Sequence, residues 1–413
     1  MSASNSGASN SGAATSSAAK KGLLLLASLL MVVGIVEGGL RVFFAFRVGP
    51  SVLLYGTAHQ RQQVVASRRP LGGNSKGELT KAARKQQDRK THNVKYHENR
   101  QAGYSKYFPN QKRADKDKDT GEVFPVTINS RGFRGAEIQD AKARGGVRVV
   151  ALGASSTFGY HDRDDETWPV YLEAELERGC PSRDFEVVNL GIPHQTARNI
   201  LAILREEALR LDPDVAVFYE GANDASAVKD RVIEATSTPI GRLLKGPSKW
   251  SLAAALIDSL VHERTRFDTL SALSAALPEA RAEFTASLEA LRQASEAHGV
   301  QLIVASQQTS SRSSPEDPIR QSRYLEEVAV VRREVEERQS MSSNELKLLA
   351  HAELMEAQRD WVERSGAGYV DILAALDHDR EVLISFVHLS PRGNQLIAAA
   401  LAPEILRRTC ASD

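Results

Sequence analysis

The chain has 413 residues, enough for two or three domains at roughly 100–200 residues each. Its 42% hydrophobic and 25% charged content is that of an ordinary globular protein and excludes collagen, coiled coil and wholesale disorder. The 53 Lys and Arg nearly balance the 52 Asp and Glu, so nothing points to general nucleic-acid binding, yet residues 51–120 alone carry 16 basic and 6 acidic side chains. Two cysteines, Cys180 and Cys410, exclude a disulfide scaffold and a four-cysteine zinc site.

Residues 1–21 are mostly Ser, Ala, Gly and Asn, with SNSGA twice in succession, and offer nothing to bury. A disordered tail is expected. After Lys20 and Lys21 an apolar segment runs over 22–46, interrupted by Glu37 and Arg41; its 25 residues, at about 1.5 Å each, suffice for a ~30 Å hydrocarbon core. No small-residue cleavage site follows, so the expectation is an uncleaved transmembrane anchor rather than a signal peptide. Glu37 and Arg41, four apart, share a helix face and can pair. Basic residues after the segment outnumber those before it, which taken literally keeps the domain in the cytoplasm; long domains often translocate regardless, and an extracytoplasmic domain is expected.

Residues 47–120 lack sustained periodicity and read as a basic linker, either a plain spacer or a contact for anionic surfaces. From about 121 onward, apolar strands alternate with amphipathic helices. Strands are predicted at 147–152, 185–190, 214–219, 300–306 and 368–373, and helices at 168–179, 196–211, 280–297 and after Pro391. Strands that are apolar throughout are buried on both faces, so the fold class is α/β, a three-layer doubly wound parallel sheet of five strands. A charged stretch at about 315–366 reads as a surface helix or helix pair inserted before the last strand, with a lid as the functional option. Cys180 and Cys410 both lie at ends of helices that can be neighbours in such a topology, and a bridge between them is one hypothesis. The turn of His161 and Asp162 to Asp165 reads as solvated.

Ligands of doubly wound sheets bind at the carboxyl ends of the strands. Ser155 follows the first strand in Gly153-Ala154-Ser155-Ser156, where a strand-to-helix turn exposes a hydroxyl near helix N–H groups. Gly221-Ala222-Asn223-Asp224 follows the third strand and places an amide. His388 precedes a helix that Ser390 would cap and Pro391 would begin. Serine, amide and imidazole at separate strand ends are the nucleophile, oxyanion donor and base of acyl transfer. No GxGxxG follows the first strand, which disfavours a dinucleotide binder.

Here the chain resembles the SGNH hydrolases, the GDSL-like esterases and lipases, over roughly 124–406. Asn129-Ser130-Arg131-Gly132-Phe133-Arg134-Gly135 is similar to the NSxGFRG stretch of membrane-anchored members, Asp165-Glu166-Thr167-Trp168-Pro169 to the turn into their first helix, and HLSPRGNQLIA at 388–398 to their last block. The resemblance implies Ser155 as nucleophile, its backbone N–H and the Asn223 amide as oxyanion donors beside Gly221, and His388 as base. It implies no metal or organic cofactor. Asp224 is expected to tie down its loop. The family's second-block glycine aligns with His194, and its triad aspartate with Ser385; Asp371, Asp377 or Asp379 could substitute from the preceding loop.

The resulting expectation is a membrane-anchored serine ester hydrolase that forms an acyl-serine on O-acyl groups, O-acetyl among them, of envelope carbohydrate or lipid. Transfer of the acyl group to a polysaccharide hydroxyl uses the same residues. A catalytically reduced member that binds glycans or assembles envelope proteins is the alternative from another class.

Overall fold

The structure, a computed structural model, describes residues 31–43 with 28 and 45, the backbone of 96–99, and residues 103–117, 121–236, 253, 269–312, 317–338 and 341–410. The chain divides into two units, 1–86 with 237–265 and 87–236 with 266–413. In the first, residues 31–43 are helical, and Arg41 Nε donates to Glu37 Oε1 at 2.9 Å as their spacing predicts. Among the described residues no helix is long and apolar enough to cross a membrane. Much of the 22–46 segment and all of the 1–21 tail lie outside the described residues.

The second unit is built on five parallel strands: β5 (Val147–Gly153), β6 (Phe185–Asn189), β7 (Val215–Tyr219), β8 (Gln301–Ala305) and β9 (Gly368–Val370), in the order β6-β5-β7-β8-β9. Alternate residues face opposite ways, as a pleated strand requires. Val150, Leu152, Ala216 and Phe218 enter one core with helices α3 (Ala197–Ile203), α4 (Ala222–Ala235), α5 (Thr269–Glu296) and α7 (Ser343–Ser365). Val149, Ala151, Val215 and Val217 enter the other, against α2 (Trp168–Gly179) and α9 (Pro391–Thr409). This is the expected three-layer α/β fold. Each predicted strand and helix is present within a few residues, except that α3 passes at Leu204 into π and 3-10 turns that run to Leu211, α5 starts near Thr269, and the last strand stops at Val370, where Asp371 caps a short helix α8 (Ile372–Leu376).

Two expectations need correction. The segment 47–120 is not linker throughout: β1 (Tyr96–Asn99) pairs with β2 (Tyr104–Tyr107), and β3 (Gln111–Lys116) pairs with β4 (Val123–Ile128), both antiparallel. Tyr104 and Tyr107 are buried in the main core, beside Phe124 and Phe133. Polar residues between the buried ones obscured the pattern, since β3 and β4 bury only Asp115, Phe124, Val126 and Ile128. The 315–366 insertion is the expected helix pair, but it packs into the core instead of lying on the surface. It forms α6 (Tyr324–Arg338) and α7, with Glu327 of α6 fully buried and salt-bridged to buried Arg380. Arg380 also donates to the Thr309 and Ser322 carbonyls, so the insertion is bolted to loops beneath it.

Cys180 and Cys410, at the C-terminal ends of α2 and α9, form a disulfide with Cα atoms 6.4 Å apart. It closes the layer that those two helices share.

Candidate active site

Ser155 begins α1 (Ser155–Phe158), a single turn that follows β5 directly. The turn is tight: a Cβ on Gly153 would meet Thr157, and one on Gly191 would meet the Phe158 backbone nitrogen at 2.3 Å. Glycine at both places lets the loops after β5 and β6 close on each other. Ser155 itself is partly exposed, and as the first helical residue its N–H has no intrahelical partner.

His388 reaches it from the far end of the chain. Its Nε2 lies 2.9 Å from Ser155 Oγ, across 233 residues of sequence. Ser390 accepts from Gly393 N and Pro391 sits in the first turn, so the cap of α9 sets the backbone just after His388, as expected. The other ring nitrogen, Nδ1, meets Ser385 Oγ at 3.0 Å. That same oxygen accepts from His388 N at 2.9 Å and Val387 N at 3.2 Å. The triad-acid position is thus occupied by a neutral hydroxyl that holds the ring in place. Asp371 is committed elsewhere, capping α8 and accepting from Ser306, and Asp377 accepts from Tyr324 N.

Asn223 lies in the first turn of α4, and its Nδ2 donates to Gln195 O at 3.0 Å. An amide has a second hydrogen to offer. Asp224 accepts from Ala197 N at 3.0 Å and so pins the β7–α4 loop to the start of α3, the tying role expected of it; burial pushes its carboxyl up to about 7. His194 is exposed and has φ +67°, the left-handed backbone that glycine adopts freely. Glycine, the residue that the resemblance aligns here, would adopt this conformation without strain, whereas His194 holds it with a Cβ. Gly221 is packed closely, since a Cβ there would strike Met355 at 2.4 Å.

Several contributors were not anticipated. Gln307, just past β8, accepts from Ala222 N at 2.8 Å, and its Nε2 is 3.4 Å from Ser156 Oγ; Ser156 donates to Val387 O at 3.1 Å. One amide and one hydroxyl thus join the serine turn, the asparagine loop and the histidine loop. Ser306-Gln307-Gln308 after an apolar strand was the available signal. Glu220, almost wholly buried at the end of β7, accepts from Asn223 N at 2.7 Å, and burial pushes its carboxyl up to about 8.

The turn after α1 also departs from expectation. Asp162 is not solvated but buried, bonded to Asn394 Nδ2 at 2.9 Å, with burial pushing its carboxyl up to about 8. Arg134, from the NSRGFRG segment, is buried and donates to the carbonyls of Phe158, Gly159 and Asp162. Beside this turn, Tyr160 and His161 make T-shaped ring contacts with His388. A cavity of about 390 Å³ lies along β6 beside α2, but neither Ser155, His194, Asn223 nor His388 lines it.

Among solved structures, the chain is similar to a variant of an acetyl xylan esterase from Geobacillus stearothermophilus, at 15% identity, covering 65% of this chain and 97% of that one with a TM-score of 0.37. It is also similar to a lipase/acylhydrolase from Enterococcus faecalis, at 18% identity over 63% and 96% of the two chains with a TM-score of 0.38. No curated protein matches it in sequence. The model of the GDSL-like lipase/acylhydrolase family matches residues 151–396, more than half of the chain and every element that brings Ser155 to His388, and the chain belongs to that family.

Proposed function

We propose that the protein is a serine ester hydrolase, with Ser155 as nucleophile and His388 as its base. The observation that carries this reading is the 2.9 Å contact between Ser155 Oγ and His388 Nε2. His388 takes the hydroxyl proton as Oγ attacks the ester carbonyl, and the carbonyl oxygen becomes an oxyanion. Donors for that oxyanion are Ser155 N–H, the His194 N–H and the free hydrogen of Asn223 Nδ2. His388 then returns the proton to the departing alkoxide, and water repeats the cycle on the acyl-serine.

The substrate class is an O-acyl group, O-acetyl being the smallest, on carbohydrate or lipid of the cell envelope. The apolar segment 22–46 would anchor the chain, with the catalytic unit on the extracytoplasmic side. The Cys180–Cys410 disulfide supports that side, because such bonds persist in oxidising compartments. Removing residues 1–46 should shift the protein from the membrane fraction to the soluble one; a truncated chain still sedimenting with membranes would refute the anchor.

The decisive measurement is labelling of the full chain with a fluorophosphonate at neutral pH. Wild type should label, whereas Ser155→Ala and His388→Ala should lose the label. A folded wild type that stays unlabelled, or a Ser155→Ala variant that still labels, would overturn the assignment.

A further inference from the structure

Asp115, near the end of β3, is only 4% exposed. A carboxylate taken so far out of water needs partners. Asp115 Oδ1 accepts from Lys116 N at 2.7 Å, and Oδ2 from His161 N at 3.2 Å. His161 has φ +74°, a left-handed conformation that non-glycine residues keep only where the surroundings impose it. Here the imposition comes from two sides, Asp115 on the backbone N–H and the Lys116 carbonyl 3.2 Å from ring Nδ1. Asp115 Oδ1 is 3.8 Å from the same Nδ1. Thus aimed, the His161 ring meets His388 nearly perpendicular, at 77° with centroids 5.9 Å apart; Tyr160 meets it at 68° and 5.4 Å.

We propose that His161, aimed by Asp115, is a positioning residue of the active site, and that with Tyr160 it supports the imidazolium formed on His388, which the neutral Ser385 cannot do by charge. In a T-shaped contact the edge of one ring meets the face of the other, and a protonated imidazole is stabilised where its edge meets a negative face. The Asp115 carboxylate lies 3.8 Å from His161 Nδ1, so its effect reaches His388 through the ring that it aims. His161 exchanges no proton: the one that His388 takes from Ser155 goes back to the leaving alkoxide. The strand that carries Asp115 precedes residues 151–396, which the family model matches. The inference rests on the esterase reading of Ser155 and His388.

The test is the rate of fluorophosphonate labelling against pH for the full chain, its His388→Ala control, Asp115→Asn, His161→Asn and the double variant. Asparagine is chosen at 161 because it tolerates the left-handed backbone. Among the described residues, the titratable and charged groups near His388 and His161 include Tyr160, Asp115 and Lys347, which stacks over Phe386 beside His388. Both single variants should label roughly tenfold more slowly. The apparent pKa of the labelling profile should fall in both, since an imidazolium without support gives up its proton more readily. The double variant should be no slower than His161→Asn, as expected of groups that act in series. A purely structural role would reduce the labelled fraction without moving the profile, and an unmoved profile in His161→Asn overturns the proposal. If Asp115→Asn does not fold, His161→Asn decides alone, its side chain being partly exposed. A wild type that takes no label removes the esterase reading and this inference together; a labelled wild type with unmoved variants removes only this one.

Discussion

At His388 the chemistry turns on a neutral partner. Ser385 Oγ can accept from Nδ1–H or donate its own proton to Nδ1, and only the first leaves the Nε2 lone pair facing Ser155. A carboxylate would enforce that tautomer and also stabilise the imidazolium. In a serine protease, loss of the aspartate costs about 10⁴ in turnover. Ser385→Asp is therefore expected to speed labelling and ester turnover at least roughly tenfold. The acidic limb of its pH profile should move upward, because a neighbouring negative charge raises the pKa of an imidazole. An unchanged rate and limb in a folded Ser385→Asp variant would mean that the hydroxyl already supplies what the site needs. His194 presents a different case: a residue with a Cβ holds the left-handed backbone that glycine would adopt freely.

Among the elements, the ends of β5, β7 and β8 are held together by buried polar side chains rather than by apolar contact. Glu220 is the most consequential of these. Its carboxyl, pushed up to about 8, is protonated in the folded chain at pH values where the unfolded chain has ionised it. The folded state thus binds more protons between about pH 4.5 and 8, and its stability falls as pH rises through that window. Asp162 and Asp224 act in the same direction. Glu220→Gln keeps the acceptor for Asn223 N and removes the ionisation. Urea unfolding at pH 5 and pH 8 should show a smaller loss of stability in this variant, by up to a few kcal/mol. An equal loss in both proteins would mean that Glu220 is ionised in the folded chain. The α6–α7 insertion belongs to this scale as well. Its Glu327 pairs with Arg380 and accepts from Ser310 Oγ at 3.1 Å, while Ser310 N donates to Phe386 O at 2.9 Å in the loop that carries His388. Through these ties the insertion braces that loop.

Over the whole second unit, the disulfide ties α2, early in the domain, to α9 at its end, closing a loop of 230 residues. Chain-entropy reasoning gives about 5 kcal/mol for a loop of that length as an upper figure. Replacing both cysteines by alanine should lower Tm by about 10 °C. Reductant should lower the wild type by a similar amount and leave the variant unaffected. Equal melting of wild type and variant without reductant would show that the bridge does not form.

What could be read from the sequence was local. Apolar runs bounded by Gly and Pro marked the five strands, and helix caps such as Ser390-Pro391 marked where loops end. In a doubly wound sheet those loops fall at one end, so Ser155, Asn223 and His388 could be brought together on paper before any distance was known. The hairpins at 96–128 are not legible in the sequence because their strands are short and mostly polar. Their strand β3 carries the carboxylate that reaches the site. Which group faces Nδ1 of His388, where Asp115 points, and whether Cys180 meets Cys410 depend on contacts between residues far apart in the chain. Sequence periodicity records which face of an element is buried, and not which distant side chain it is buried against; that was decided by the tertiary structure alone.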